Sequence, residues 1–255
     1  MFRTLIYFDN KKITEYKSLI EGKKAISLNN VKISSEKIGK AQIPVLSGEF
    51  TGRSEMNGEI LSNYLLDCAE FENLLKDRDD YYDFTKNDNF DIETISRSSI
   101  IHFNAIFEIP PEFDMLDLIN QFKPILIRSV DTNSKDESDL LNSLLGKDST
   151  KIPIFIENDQ VLSNRLGFSK INSNYLHCDM ANLEDFENQD VTIIAKLLFR
   201  RDIQSEPVVV YDVMKDLFGI GRAIRRQLGN NKIDGINNIS INEDFITLEI
   251  LAIYQ

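Results

Sequence analysis

The chain has 255 residues, with 29 Lys and Arg against 41 Asp and Glu, a formal net charge of −12 at pH 7. Hydrophobic residues make up 42% and charged residues 27%, a globular composition too apolar for wholesale disorder. The acid excess argues against a general nucleic-acid or anionic-membrane coat, because both are polyanions, and leaves a local basic patch as the route to any anionic partner.

Residues 2–8 mix β-branched and aromatic types and predict a strand, followed by a helix over 13–21 that stops at Gly22. Residues 23–52 are polar and predict an irregular or hairpin region. Met56, Ile60, Tyr64, Cys68, Phe71 and Leu75 recur at helical spacing and predict the clearest helix, over about 55–76. Residues 77–93 then carry seven acids against Arg78 and Lys86, with Tyr81, Tyr82, Phe84 and Phe90 interleaved, and predict a surface connection. A strand is predicted at 99–109. After it, Asp114 is a candidate N-cap with Phe113 and Leu118 as its hydrophobic staple, and Pro124 ends the helix. A helix at 137–145 and a strand at 152–157 follow. Further strands are predicted at 174–178, 190–200 and 207–211. Val213, Leu217, Ile220, Ile224 and Leu228 share one face of a helix over 213–228, and the apolar, β-prone residues 246–255 predict a buried closing strand.

This alternation predicts an α/β or α+β fold with a mixed sheet, without the regular βα repeat of a barrel enzyme. Three modules are expected, at 1–97, 98–158 and 159–255, joined in one body. An aromatic-Asp pair follows an apolar run at Phe8-Asp9, Phe113-Asp114 and Tyr211-Asp212, and the last two pairs raise the possibility of two related strand-helix modules.

No run approaches the roughly 18–20 apolar residues of a membrane span, and Asp9-Asn10-Lys11-Lys12 interrupts the first apolar stretch before a signal sequence could form. With Cys68 and Cys178 its only cysteines, the chain is not a disulfide scaffold, and a reduced, cytoplasmic protein with both thiols unlinked is expected. His177 and Cys178 are neighbours on a predicted strand, so they point to opposite faces and suit packing better than a shared metal. Asp9 and Asp212 end apolar runs, where a nucleophile or magnesium ligand can sit. Each also precedes a helix, where an aspartate caps. Gly219-Ile220-Gly221 completes neither a dinucleotide fingerprint nor a Walker motif. No cofactor or metal is implied. The strongest functional candidate is the cluster Arg222, Arg225 and Arg226, with Arg200 and Arg201 earlier in the chain, as a site for an acidic protein or anionic ligand. Capping of the helix dipole is the competing account.

Three stretches carry a resemblance: Leu5-Ile6-Tyr7-Phe8-Asp9, the central run from Phe107 to Asp114, and Ile250-Leu251-Ala252-Ile253-Tyr254. Together they resemble a family of bacterial proteins known only as a domain of unknown function, with a Tyr- and Asp-bearing first strand and an Ala-Ile-Tyr last strand. The resemblance implies a mobile-element or phage-defence setting and no catalytic residues. The leading expectation is therefore a non-enzymatic interaction or sensing protein. The alternative is a metal-dependent hydrolase or nucleotide-processing enzyme using Asp9 or Asp212.

Overall fold

The computed structural model describes residues 3–22, 63–86, 90–113, 151–203, 206–217 and 237–255. The predicted helices at 114–124 and 137–145, Gly219-Ile220-Gly221, and Arg222, Arg225 and Arg226 lie outside them, as does the start of the helix predicted from 55.

Strand β1 (Leu5–Phe8) runs into helix α1 (Asn10–Glu21), which starts three residues before the expected Ile13 because the Asp9 side chain accepts from the Lys12 amide at 3.0 Å. Gly22 ends it in the left-handed conformation, φ 64°, a position that suits glycine. Helix α2 (Tyr64–Leu75) is capped by Asn63 and buries Cys68, Phe71, Glu72 and Leu75. The surface connection predicted after it contains a short strand, β2 (Tyr81–Asp83). Strands β3 (Ile100–Glu108) and β4 (Lys151–Glu157) fall where the apolar patterns place them.

Strand β5 (Leu166–Asn172) was not foreseen, because Gly167, Ser169 and Lys170 break the apolar pattern. The strand expected at 174–178 is instead a 3-10 turn at Ser173–Tyr175 with a single bridge from Leu176 to Tyr7. The physical reason is local: the Asn172 side chain accepts from the Asn174 amide at 3.0 Å and bends the chain out of the ladder. The short helix α3 (Met180–Glu184) precedes β6 (Val191–Arg201). Strand β7 (Val208–Tyr211), helix α4 (Val213–Asp216), β8 (Ile239–Ile241) and β9 (Phe245–Tyr254) complete the described chain.

The architecture is α+β with a mixed seven-stranded sheet and a separate two-stranded ribbon, β7–β8. Antiparallel pairs β9–β6, β6–β3, β3–β4 and β4–β5 are joined by the parallel pair β5–β9, so five strands pair in a closed circuit, a small barrel. Strand β1 adds to β9 and β2 adds in parallel to β3. Strands from all three sequence modules therefore meet in one sheet. The strands ahead of Asp114 and Asp212 occupy unlike places, β3 in the barrel and β7 in the ribbon.

Alternation fills the barrel. Ile101, Phe103, Ala105 and Phe107 of β3 face Ile152, Ile154 and Ile156 of β4, Val191, Ile193, Ala195 and Leu197 of β6, and Ile246, Leu248 and Ile250 of β9 within one core. The β6–β9 register shifts at Leu251, so the inward sequence resumes at Ile253 while Leu251, Ala252 and Tyr254 face outward. On that outer face Ile13 of α1 and Cys68, Phe71 and Leu75 of α2, together with Phe8 of β1, cover Ile100 of β3, Ile194 of β6 and Leu251 of β9. The ribbon packs Val208 and Ile241 against Phe168 and Phe245 elsewhere on the barrel.

Candidate functional site

Asp9 and Asp212 serve as helix caps, whereas Asp114 lies outside the described residues. Asp9 is buried at the end of β1. Its Oδ2 accepts from the Tyr7 hydroxyl at 3.4 Å and lies 3.5 Å from Lys12 Nζ, while Oδ1 holds the Lys12 amide. Lys12 continues to Glu249 at 2.9 Å, which also accepts from Tyr16 at 2.8 Å. Burial pushes the Glu249 carboxyl up, but Lys12 and Tyr16 outweigh it and hold the carboxyl below its ordinary value. Asp212, on the ribbon side, accepts from the Lys215 amide at 3.1 Å. Among the described residues no group of three or more His, Cys, Asp or Glu side chains gathers as a metal would require.

His177 stacks edge-on against Tyr64 at 4.7 Å, and the Cys178 sulfur faces the Ile6 carbonyl. Both cysteines are free thiols. Arg200 donates to the carbonyls of Ile92 and Ile95 and clamps that loop onto the barrel, whereas Arg201 is exposed at the end of β6.

The start of the helix predicted at 213–228 is firmly anchored. Val213 and Leu217 are buried in the barrel core, Phe113 packs edge-on against Tyr211, and the Tyr211 hydroxyl donates to the Lys151 carbonyl at 2.8 Å. Lys170 Nζ sits 2.6 Å from the buried Asp216 carboxylate and 5.6 Å from the Tyr211 ring centre, with Lys151 Nζ 4.0 Å from the same carboxylate. The exposed Lys151 and Lys215 thus surround the point from which the chain enters the basic segment.

A second cluster, beneath α2, was not foreseen. The outward-facing His102 lies between Tyr81 (Nδ1 to hydroxyl, 2.8 Å) and Tyr254 (Nε2 to hydroxyl, 2.8 Å). Tyr254 donates to Glu72 Oε1 at 2.9 Å, the oxygen that also pairs with Arg3 and accepts from Cys68 at 3.8 Å. Arg3 lies over the Tyr254 ring, 4.4 Å from its centre. Burial lowers the His102 pKa, against the opposing charges of Asp83 and Glu72; burial also raises Tyr254, and it pushes the Cys68 thiol up to about 12, helped by the Glu72 charge. The available signal was a histidine set within the apolar run Ile100, Ile101 and Phe103 of β3. Its partners stand 21 and 152 residues away, beyond any local pattern.

A shallow groove of about 380 Å³ lies beside β2, lined by Asp77, Arg78, Asp79, Asp80, Tyr82, Ser96 and Ser99, with Arg78 held at 2.9 Å by Asp80. No helix among the described residues is long and apolar enough to cross a membrane. No family model, curated protein or solved structure matches the chain.

Proposed function

We propose that this protein is a non-enzymatic binding or sensing protein that captures an acidic protein partner, or an anionic ligand, through the segment bearing Arg222, Arg225 and Arg226. The observation that carries the reading is the anchor at Asp212–Leu217. A capped helix start, with Val213 and Leu217 in the barrel core, fixes on the barrel the origin of the arginine-rich stretch of the chain. Residues 218–236 hold four cations and one acid in a protein of net charge −12. Such a segment is a steep local reversal of field, which favours an anionic partner and repels a cationic one. The setting, bacterial and defence-associated, belongs to the same proposal and draws its support from the resemblance of the first and last strands.

Tagged protein recovered from its own host at low salt, beside the Arg222→Glu with Arg226→Glu variant, tests this. A partner of acidic composition should copurify with the unsubstituted protein, should be lost by 0.5 M salt, and should be absent from the variant while its melting temperature holds. Equal recovery by both proteins overturns the reading. So does retention of magnesium or manganese in native mass spectrometry that Asp9→Asn or Asp212→Asn abolishes, because that result belongs to a hydrolase.

A further inference from the structure

The cluster under α2 has a fixed sense of hydrogen-bond donation. A carboxylate only accepts, so the single Tyr254 proton goes to Glu72 and the Tyr254 oxygen must accept from His102 Nε2–H. His102 Nδ1 is then unprotonated and accepts from the Tyr81 hydroxyl. The network thereby assigns the tautomer. Around the neutral ring the charges balance. Asp83 Oδ1 lies 3.5 Å from Nδ1 and is paired with Lys86 at 2.5 Å, and Glu72 is paired with Arg3. Tyr81 and Asp83 face the ring from β2, with Lys86 just after it, Tyr254 from β9 and Glu72 from α2; Arg3, ahead of β1, and Cys68 of α2 reach Glu72. A proton on Nδ1 forces the Tyr81 hydroxyl to turn its own proton away from the ring, towards Asp83, and adds an unbalanced positive charge to a site where His102 is 6% and Tyr254 4% exposed.

We propose that His102 is a proton-operated latch, whose neutral ring ties α2 to the barrel through Tyr254 and Glu72 and whose protonation loosens α2. The element that gives way is α2. It is a surface helix with Leu65 and Leu66 exposed, anchored by Cys68, Phe71 and Leu75, and its polar tie to the strands beneath is Glu72. The barrel strands are paired on both sides and do not yield. A helix that opens returns the imidazole to its ordinary value of 6.5, so acid favours the open form, by up to about tenfold per pH unit between 6.5 and the lower value of the closed site.

Imidazole nitrogen shifts and amide exchange on the full chain, between about pH 7.5 and 5.5, test this. At the upper pH, His102 should carry its proton on Nε2. Towards the lower pH, opening of α2, corrected for intrinsic exchange and referenced to β6, should rise towards about tenfold per unit. His102→Gln keeps a donor for Tyr254 and does not titrate, so its α2 protection should be flat across the range. Where that variant folds poorly, Asp83→Asn serves: loss of the facing anion should move the His102 midpoint further down, so that the acid-driven rise in α2 opening still begins near 6.5 but continues to lower pH before it levels off. His177→Asn separates the two histidines, since His177 touches Tyr64 at the start of α2, and it should leave the effect intact. A proton on Nδ1 at neutral pH, a titrating His102 with unchanged α2 exchange, or an acid response that survives His102→Gln or vanishes in His177→Asn overturns the latch.

Discussion

Gly167→Ala tests the closure of the barrel where β4 meets β5. Gly167 pairs with Ile156, and a methyl group on its Cα would stand 2.9 Å from Ile156 Cβ, 2.9 Å from the Ile156 carbonyl oxygen and 3.1 Å from Leu162 Cδ1. Ordinary carbon contacts lie at about 3.5–4.0 Å. The Leu162 tip can turn aside, but the Ile156 backbone belongs to the paired strand, so the ladder itself must part. Overpacking of this kind costs about 1–3 kcal/mol, against about 0.4–1 kcal/mol returned by a less flexible unfolded chain. The net expectation is a loss of about 1–2 kcal/mol. For a chain of this size that corresponds to a fall of about 2–8 °C in melting temperature. Urea unfolding should show a lower midpoint at an unchanged slope, since the surface exposed on unfolding is the same. Gly22→Ala is the contrast: nothing lies within 4 Å of its Cβ position, so only the left-handed backbone at φ +64° penalises it, by about 1–2 kcal/mol. A Gly167→Ala protein as stable as the parent, or more so, would show that β4 and β5 do not approach as described.

Tyr254→Phe should cost about 1–3 kcal/mol in chemical unfolding, because it leaves the His102 donor buried without its acceptor; an unchanged midpoint would contradict the network. In native protein a thiol reagent near pH 8 should modify Cys178 well before Cys68, whose thiol is buried and raised to about 12, and both should react after unfolding. Asp9→Ala should lower stability by about 1 kcal/mol through the lost α1 cap, whereas Asp9→Asn, still a good cap, should lose less; equal losses would assign Asp9 a role beyond capping. Glu249, whose carboxyl is held below its ordinary value of 4.5, contributes stability that is intact above 4.5 and lost as pH falls through the folded-state value. Glu249→Gln should therefore flatten the acid limb of a pH-stability curve below 4.5.

What the sequence made legible is what depends on near neighbours. Strands β1, β3, β4, β6, β7 and β9 announce themselves by apolar and β-branched runs, and the capping roles of Asp9 and Asp212 follow from a side chain reaching an amide three residues on. Strand β5 escaped notice because its inward face is made small by Gly167 and Ser169 for close packing against β4 and β9, and Ser169 Oγ bonds the Leu248 carbonyl at 2.8 Å. Asn172 turned the next apolar stretch into a 3-10 bend. The His102 cluster was hidden for a different reason: it exists only once β2, β3, β9 and α2 are assembled, with Tyr254 and Glu72 separated by 182 residues. Arg200 illustrates the converse. Its charge is visible in the sequence, but its use as a clamp on the Ile92 and Ile95 carbonyls depends on a loop more than a hundred residues earlier.

The proposed recognition of an acidic partner is tested most directly by the affinity for polyglutamate across a salt series, with and without Arg222→Glu and Arg226→Glu. A protein of net charge −12 should repel a polyanion unless a local basic segment captures it. The account predicts binding at low ionic strength that weakens steeply as the screening length contracts to about 8 Å at 0.15 M, and no binding by the folded variant. Absence of binding by the unsubstituted protein at low salt, or equal binding by the charge-reversed one, would contradict it.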